Sequence, residues 1–572
     1  MMTLVSLAVG SGYAFSVTST FFPVLKAEFY LEISTLIWVL LFGHYLEAKS
    51  SLAAGDALSE VAKLLPKKAH RLEHDVETDV AVEELQEGDV VRVKPGEKIP
   101  ADGLVLKGSA NVDEALVSGE SRPVKRGEGS LVVAGAICLD GSLTVRLTRV
   151  GESSTIGQIQ KLITQAGKTK PYSQKLADRA SAILTLVAFL VALATLLVWT
   201  LVVGESFVFA LTLAITVLVI ACPHALGLAI PTVTTIATSL AVKHNFFIKD
   251  LSKIETIRKV DYVIFDKTGT LTKGEFGVAE IVPLQELDRD RILSLAASLE
   301  RHSSHIIGQS ILRYAEQQEV PLLEITNFQN LAGQGVRAEI NGLEYFVGNE
   351  RLLEGLGLTY SPAGEVVGTQ VLVADSHRVL GYILLSDVVK ASSKATVREL
   401  HTLGIKVALL TGDNSQVAEK VSTELGIDTY FANVLPEDKY QYVKKLQEEA
   451  HTVLMVGDGV NDAPALTQAD AGVAIGAGTD VAVESGDVVL TNSDPQDIVR
   501  LVLLSKKVYA KMTQNLVWAL GYNLLALPAA AGVFAAWGFL LRPEIGALVM
   551  SLSTVIVVIN ALTLKNLNLN KV

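Results

Sequence analysis

Cysteine is scarce: Cys138 and Cys222 are the two in 572 residues, and they lie far apart. So few exclude a disulfide framework and a cysteine-rich zinc cluster. Charge is scarce too, at 19% of residues, against 49% apolar residues and a mean hydropathy of +0.38. Such a composition excludes a disordered chain and fits an ordinary water-soluble enzyme poorly. A basic excess is also lacking, because 49 Lys+Arg face 61 Asp+Glu and leave a net charge of −12. Nucleic acid is therefore not expected as a partner, since phosphate backbones call for a basic surface. No basic leader precedes the first apolar run, so no cleavable signal is read there.

What is present is apolar sequence gathered into blocks. A membrane-crossing helix needs about 20 mostly apolar residues. Six segments qualify: Met2–Phe22, Glu32–Glu47, Ala180–Val203, Phe207–Val242, Val517–Trp537 and Ile545–Leu564. The fourth is too long for one straight crossing, and Pro223 and Pro231 break it. Two long polar stretches separate the blocks, and an even number of spans puts both on one side. Lys243, Lys249, Lys506, Lys507 and Lys511 flank the spans there and mark that side as cytoplasmic, with Lys26 and Arg542 in short outer links.

The first polar stretch reads as β. Val90-Val91-Arg92-Val93 and Leu143-Thr144-Val145-Arg146-Leu147 alternate, and Pro95-Gly96, Asp102-Gly103 and Gly141 punctuate such runs. The second alternates strand-like and helix-like runs, as an α/β domain with a parallel sheet does. The expected organisation is spans 1–2 in 1–49, a β-rich domain in 50–165, and spans 3–4 in 166–249. An α/β domain in 250–280 and 386–505 follows, interrupted by an inserted α+β domain in 281–385. Spans 5–6 occupy 506–572.

Three apolar strands end in acidic turns: Asp266-Lys267-Thr268-Gly269-Thr270, Thr411-Gly412-Asp413 and Gly457-Asp458-Gly459-Val460-Asn461-Asp462. Open α/β sheets bind ligands at the carboxyl ends of their strands. One Thr-Gly-Asp is an ordinary solvated turn; three such motifs in order after three strands are not. Asp266 is placed to attack a phosphoryl group and form an acyl phosphate. Both reactants are anionic, so the step needs cations: Mg²⁺ held by Asp266, Asp458 and Asp462, and a lysine, Lys439 of Pro436-Glu437-Asp438-Lys439. Thr411 and Asn461 are hydrogen-bond donors for the phosphate.

Taken together, these motifs closely resemble those of the P-type ATPases, and the resemblance runs along essentially the whole chain. It implies ATP as phosphoryl donor, Asp266 as the residue phosphorylated, and Lys267, Thr268 and Asp413 as catalytic partners. The family's actuator Thr-Gly-Glu reads Ser118-Gly119-Glu120 here, which implies that Glu120 orients the hydrolytic water. In the inserted domain, Ser303-Ser304-His305-Ile306 resembles the heavy-metal branch's Ser-Glu-His-Pro, with the proline replaced. Glu300, His305, Gly333, Gly335, Gly348 and Asn349 are the implied nucleotide residues.

Cys222-Pro223-His224 lies inside the fourth apolar block. A thiolate and an imidazole beside a helix break make a site for a soft or borderline metal. Tyr522 and Asn523 in the fifth span, and Met550, Ser551 and Thr554 in the sixth, offer further donors. Cys-Pro-His with Gly-Tyr-Asn and Met-Ser-Leu-Ser-Thr is similar to the copper-transporting subgroup of heavy-metal P-type ATPases. That resemblance implies copper, with silver as a second soft cargo, a prokaryotic plasma membrane and its lipid, and a copper carrier as further partner. It also implies Met2, Glu47 and Asp178 as the cytoplasmic mouth, with Glu32 on the release side. Against the family's usual eight spans, the sequence opens at the third. Other readings of these residues are a membrane-anchored phosphohydrolase of the haloacid-dehalogenase type and a truncated, non-transporting form.

Overall fold

The computed structural model describes residues 2–22, scattered helical positions between 30 and 45, 65–73, 76–114, 123–166, 168–221, 223–284, 287–303, 305–331, 334–358, 369–459, 461–476, 485–567 and 569. Two compact units are present. One comprises the chain up to Val260, Asp470–Asn492 and the part from Asp497 onward; the other is Asp261–Ala469 with Ser493–Gln496.

The first unit opens with a helix, Met2–Phe21, and then carries the β-rich domain. Its larger sheet orders the strands Val76–Ala81, Lys68–Glu73, Val90–Val93, Leu143–Arg149, Asp102–Gly108 and Leu131–Val132. Alternation decides which face is buried: Leu143, Val145 and Leu147 point inward with Val91, Val93 and Val105, and each of these is 1% exposed or less. Burial of a side chain of this size stabilises the fold by about 1.5–3 kcal/mol. Asp102 ties the sheet to the following helix, Thr155–Ala166. Its Oδ1 accepts from the Ala134 amide at 2.8 Å, and its Oδ2 accepts from the Thr155 amide and hydroxyl at 2.8 and 2.9 Å.

At the outer edge of this sheet, His70 sits between carboxylates. Its Nδ1 lies 2.7 Å from Asp79 and 3.3 Å from Glu77, and its Nε2 lies 2.9 Å from Glu97. Both nitrogens can donate to carboxylates only in the imidazolium. Hydrogen bonding to Glu97 first, and then to Asp79, raises the His70 pKa above its ordinary value, against burial and nearby Lys94. With a raised folded-state pKa, the contribution to stability is complete below the ordinary value of 6.5 and is lost as pH climbs through the folded value. Amide exchange in the hairpin Lys68–Glu73/Val76–Ala81 is therefore expected to be slower than in a His70→Gln variant at about pH 6, and the gap to close by about pH 9.

The rest of this unit is mostly helical. Among the described residues, three helical stretches are long and apolar enough to cross a membrane: Tyr172–Val202, Phe207–Lys243 and Leu548–Asn566. Phe207–Lys243 is divided as Pro223 and Pro231 require, into Phe207–Ile220, His224–Ala229 and Pro231–Lys243. The expected span at 32–47 lies largely outside the described residues. The fifth belongs to a longer helix, Gln496–Ala530, which passes without a break through the boundary expected at 505. Nothing between Gln496 and Trp518 is a Gly or Pro, so the change from polar to apolar sequence alters what the helix faces and not its backbone.

In the second unit, the parallel strands Val453–Gly457, Tyr262–Asp266 and Lys406–Leu410 lie side by side, with Thr429–Phe431 at the edge. All five residues of Tyr262–Asp266 and of Val453–Gly457 are buried, which explains their unbroken apolar sequences. The chain then enters an antiparallel six-stranded sheet through Thr272–Pro283 and leaves it along Val379–Val389, the two pairing directly. Helices Arg289–Glu300 and Ile306–Gln317 pack on that sheet through Ile292, Leu295, Leu299 and Ile311.

Candidate active site

Asp266 closes the central strand, and its neighbours across the sheet are Leu410 and, one residue earlier, Val456. The carboxyl ends of all three strands therefore gather in one place, and with them the three acidic motifs. The backbone turns sharply after Asp266: Thr268 is extended, and Gly269 takes φ +75°, a left-handed conformation that glycine adopts at little cost.

Lys439, at the start of helix Lys439–Glu448, donates to Asp266 Oδ1 and to Asp462 Oδ1, both at 2.6 Å. All three residues are buried: Asp266 and Lys439 are 6% exposed and Asp462 is 1% exposed. Burial first, and then the charge of Asp462, pushes the Asp266 pKa up to about 7, while Lys439 acts the other way. Burial likewise raises Asp462. It opposes the charge on Lys439, but the two carboxylates outweigh it and raise that pKa. The group is thus an ammonium clamped between two carboxylates in a dry recess, the arrangement expected where anionic oxygens must be held close.

The other motif residues surround it. Lys267 is buried and pairs with Asp413 at 2.5 Å. Asp413 donates its amide to Thr411 Oγ1 at 3.1 Å. The Asp458 amide faces Asp462 Oδ2 at 3.3 Å. A Cβ on Gly457 would lie 2.1 Å from Asp462 Oδ2, so the glycine in this motif makes room for the carboxylate. Thr268 and Asn461 are exposed at the rim. A cavity of about 370 Å³ adjoins Thr268, lined also by Lys267, Asp387, Asp413, Asn414 and Lys420 among others.

Among the described residues, no three His, Cys, Asp or Glu side chains form a ready-made metal cage. The donors present still suit Mg²⁺, which is usually held by one or two carboxylates and completed by substrate phosphates and water. Asp266, Asp458 and Asp462 supply carboxylate oxygens, the donor type that a hard cation takes.

In the inserted domain, Glu300 ends its helix buried, with Oε2 lacking a partner among the described residues, and burial raises its pKa. His305 is exposed and caps the next helix, its Nδ1 accepting from the Ile307 amide at 3.3 Å. That bond leaves the proton on Nε2 in the neutral ring. His302 packs edge-on against Phe328 instead, with ring centroids 5.7 Å apart. Gly335 and Gly348 face each other across paired strands, and a Cβ on Gly335 would meet the Val347 carbonyl oxygen at 2.2 Å. Their spacing is thus accounted for by close backbone approach. Asn349 caps helix Glu350–Gly355 through Leu352.

The membrane candidates lie in the other unit. Tyr522 donates its hydroxyl to the carbonyl of Ile220 at 3.0 Å, at the end of the helix that precedes Pro223. Asn523 is 2% exposed; its Nδ2 bonds the Ala519 carbonyl and its Oδ1 has no partner among the described residues. Met550, Ser551 and Thr554 are buried; Ser551 Oγ has no partner among the described residues, while Thr554 bonds back to the Met550 carbonyl. A buried polar atom without a partner is costly and calls for an explanation. Glu120, Cys222 and Gly333 lie outside the described residues, and of His224 only the helical backbone is described.

Residues 260–470 match the haloacid dehalogenase-like hydrolase family, and residues 63–164 match the P-type ATPase actuator domain. The chain is 46% identical over 569 residues to a copper-exporting P-type ATPase B of Archaeoglobus fulgidus, covering 99% of this chain and 82% of the relative. It is 41% identical to a probable copper-transporting P-type ATPase B of Staphylococcus epidermidis, covering 99% and 86%. A crystal structure of a zinc-transporting PIB-type ATPase in the E2.Pi state superposes with a TM-score of 0.61 at 34% identity, over 93% of this chain and 87% of that one. Acidic motifs gathered at one sheet edge, an actuator domain and similarity along the full chain lead to one conclusion: the chain belongs to the membrane-embedded P-type ATPases.

Proposed function

We propose that this chain uses ATP to export copper across a membrane, passing through an aspartyl phosphate at Asp266. The observation that carries the proposal is the seating of Asp266, at the end of the central strand and 2.6 Å from Lys439. An Oδ of Asp266 attacks the γ-phosphorus of ATP, the bond to the bridging oxygen breaks, and ADP leaves. Lys439 balances negative charge on the phosphoryl oxygens, Lys267 and Asp413 hold the loop, and Thr268, Thr411 and Asn461 orient the group. Asp266, Asp458 and Asp462 would hold Mg²⁺, which when bound would offset charge on the phosphates. Glu120 then takes a proton from a water that attacks the phosphorus and returns the free carboxylate. Adenine is held by the inserted sheet beside Glu300 and His305, with Gly333, Gly335, Gly348 and Asn349 shaping its edge.

Copper is assigned from the donors and from what the relatives are named for. A thiolate, an imidazole and a thioether suit a soft ion and also admit silver; hard cations would want oxygen alone. Cys222, His224 and Met550, with Tyr522, Asn523, Ser551 and Thr554, form the proposed intramembrane site. Six spans in a prokaryotic plasma membrane, with both large polar stretches cytoplasmic and a carrier delivering the ion, complete the proposal. In lipid vesicles, ATP hydrolysis is expected to rise when copper is supplied, and the Cys222→Ala variant to lose that rise while still binding nucleotide. Hydrolysis at one rate with copper present or chelated would overturn the proposal. Metal-independent release of phosphate from small phosphoesters would instead identify a membrane-anchored phosphohydrolase.

A further inference from the structure

Lys390 lies outside every motif read from the sequence. It follows the strand Val379–Val389, where the chain returns from the inserted sheet. Its ammonium donates to three backbone carbonyls: Gly269 at 2.6 Å, Thr270 at 2.9 Å and Ser493 at 2.5 Å. An ammonium has three donors, and all three are used. The same short segment holds the loop in two further places, because the Lys390 amide and the Ser393 hydroxyl both donate to the Leu271 carbonyl, at 3.0 and 2.7 Å. Gly269, Thr270 and Leu271 belong to the turn that follows Asp266, the turn whose left-handed glycine sets its course. Ser493 stands just ahead of helix Gln496–Ala530, the helix that carries Tyr522 and Asn523.

Lys390 is partly buried, and burial lowers its pKa to about 8, with Asp494 and Asp387 opposing the fall. A partly buried cation hydrogen-bonded to neutral carbonyls is an expensive way to close a turn, and a hydrophobic residue with ordinary backbone bonds would serve packing as well. What the ammonium adds is a rigid, three-way junction between chain segments far apart in sequence.

We propose that Lys390 is a positioning residue for phosphoryl transfer: it fixes the acceptor loop through the Gly269 and Thr270 carbonyls and, through Ser493, ties that loop to the segment leading into helix Gln496–Ala530. The inference rests on Asp266 being the residue phosphorylated. Loop geometry and the start of that helix then shift together, because one ammonium holds both.

The test uses the full chain in lipid vesicles, with Lys390→Met and Lys390→Arg. Lys390→Met is expected to slow phosphoenzyme formation from labelled ATP by about tenfold or more while nucleotide affinity stays within about twofold. It is also expected to speed amide exchange both in 267–271 and in 493–497, and to reduce the dependence of phosphorylation on copper. Lys390→Arg, which keeps charge and several donors, is expected to recover most of the rate. Where Lys390→Met does not fold, Lys390→Gln replaces it and must show the same order, slower than Lys390→Arg. Unchanged phosphorylation in Lys390→Met, equal losses in the Met and Arg variants, or faster exchange in 267–271 with none in 493–497 would overturn the inference. Label retained by an Asp266→Asn variant would instead overturn the acceptor assignment.

Discussion

The Asp266→Asn variant is expected to take up no phosphate from ATP and to lose copper-stimulated hydrolysis by at least about three orders of magnitude. An amide oxygen is too poor a nucleophile to form the acyl phosphate, and no other carboxylate ends the central strand. The same variant is expected to keep its fold. The amide oxygen can still accept from Lys439, the side chain keeps its shape, and one of two neighbouring carboxylates in a dry recess is gone. Melting temperature at or slightly above that of the parent, together with absent labelling, separates chemistry from structure. Label that persists and remains sensitive to hydroxylamine would place the acyl phosphate on another carboxyl group.

Much of this site was legible in the sequence because its parts are side chains in short motifs. Asp266 ends an apolar strand, Thr411 and Asp458 directly follow two others, Asp413 and Asp462 lie a few residues further on, and parallel pairing brings strand ends together whatever the intervening length. Lys439 was legible from its motif, although its equal sharing between Asp266 and Asp462 was not. Lys390 was not legible, because its three acceptors are backbone carbonyls and any sequence supplies those. The cluster around His70 was missed for a related reason: Asp79 comes from the paired hairpin strand, and Glu97 from a turn well beyond it. Gly335 and Gly348 carry an implied nucleotide role in the sequence, and the register adds that two strands meet there too closely for a Cβ. The long helix from Gln496 crosses an expected domain boundary because hydropathy changes along it while helix propensity does not.

Lys439→Met is expected to have the second large effect, on stability as well as on rate. Removing the ammonium leaves Asp266 and Asp462 at 6% and 1% exposure, two carboxylates that shared one cation. Breaking a buried pair by deleting one partner typically costs about 3–5 kcal/mol, because the charge left behind is neither solvated nor paired. Phosphorylation is expected to fall by about 10²–10³ as well, since a preorganised cation no longer faces the phosphoryl oxygens. The double variant Lys439→Met/Asp462→Asn distinguishes the two effects. It no longer buries a pair of unpaired carboxylates, so chemical denaturation should show much of the lost stability recovered, a coupling of residues in direct contact. Phosphoenzyme formation should not recover, because neither substitution restores a positive charge beside Asp266 and Asp462→Asn also removes a proposed Mg²⁺ donor. If both properties return together, Lys439 serves the fold alone; if stability stays low in the double variant, the loss comes from packing of the lysine stem and not from the charges it separates.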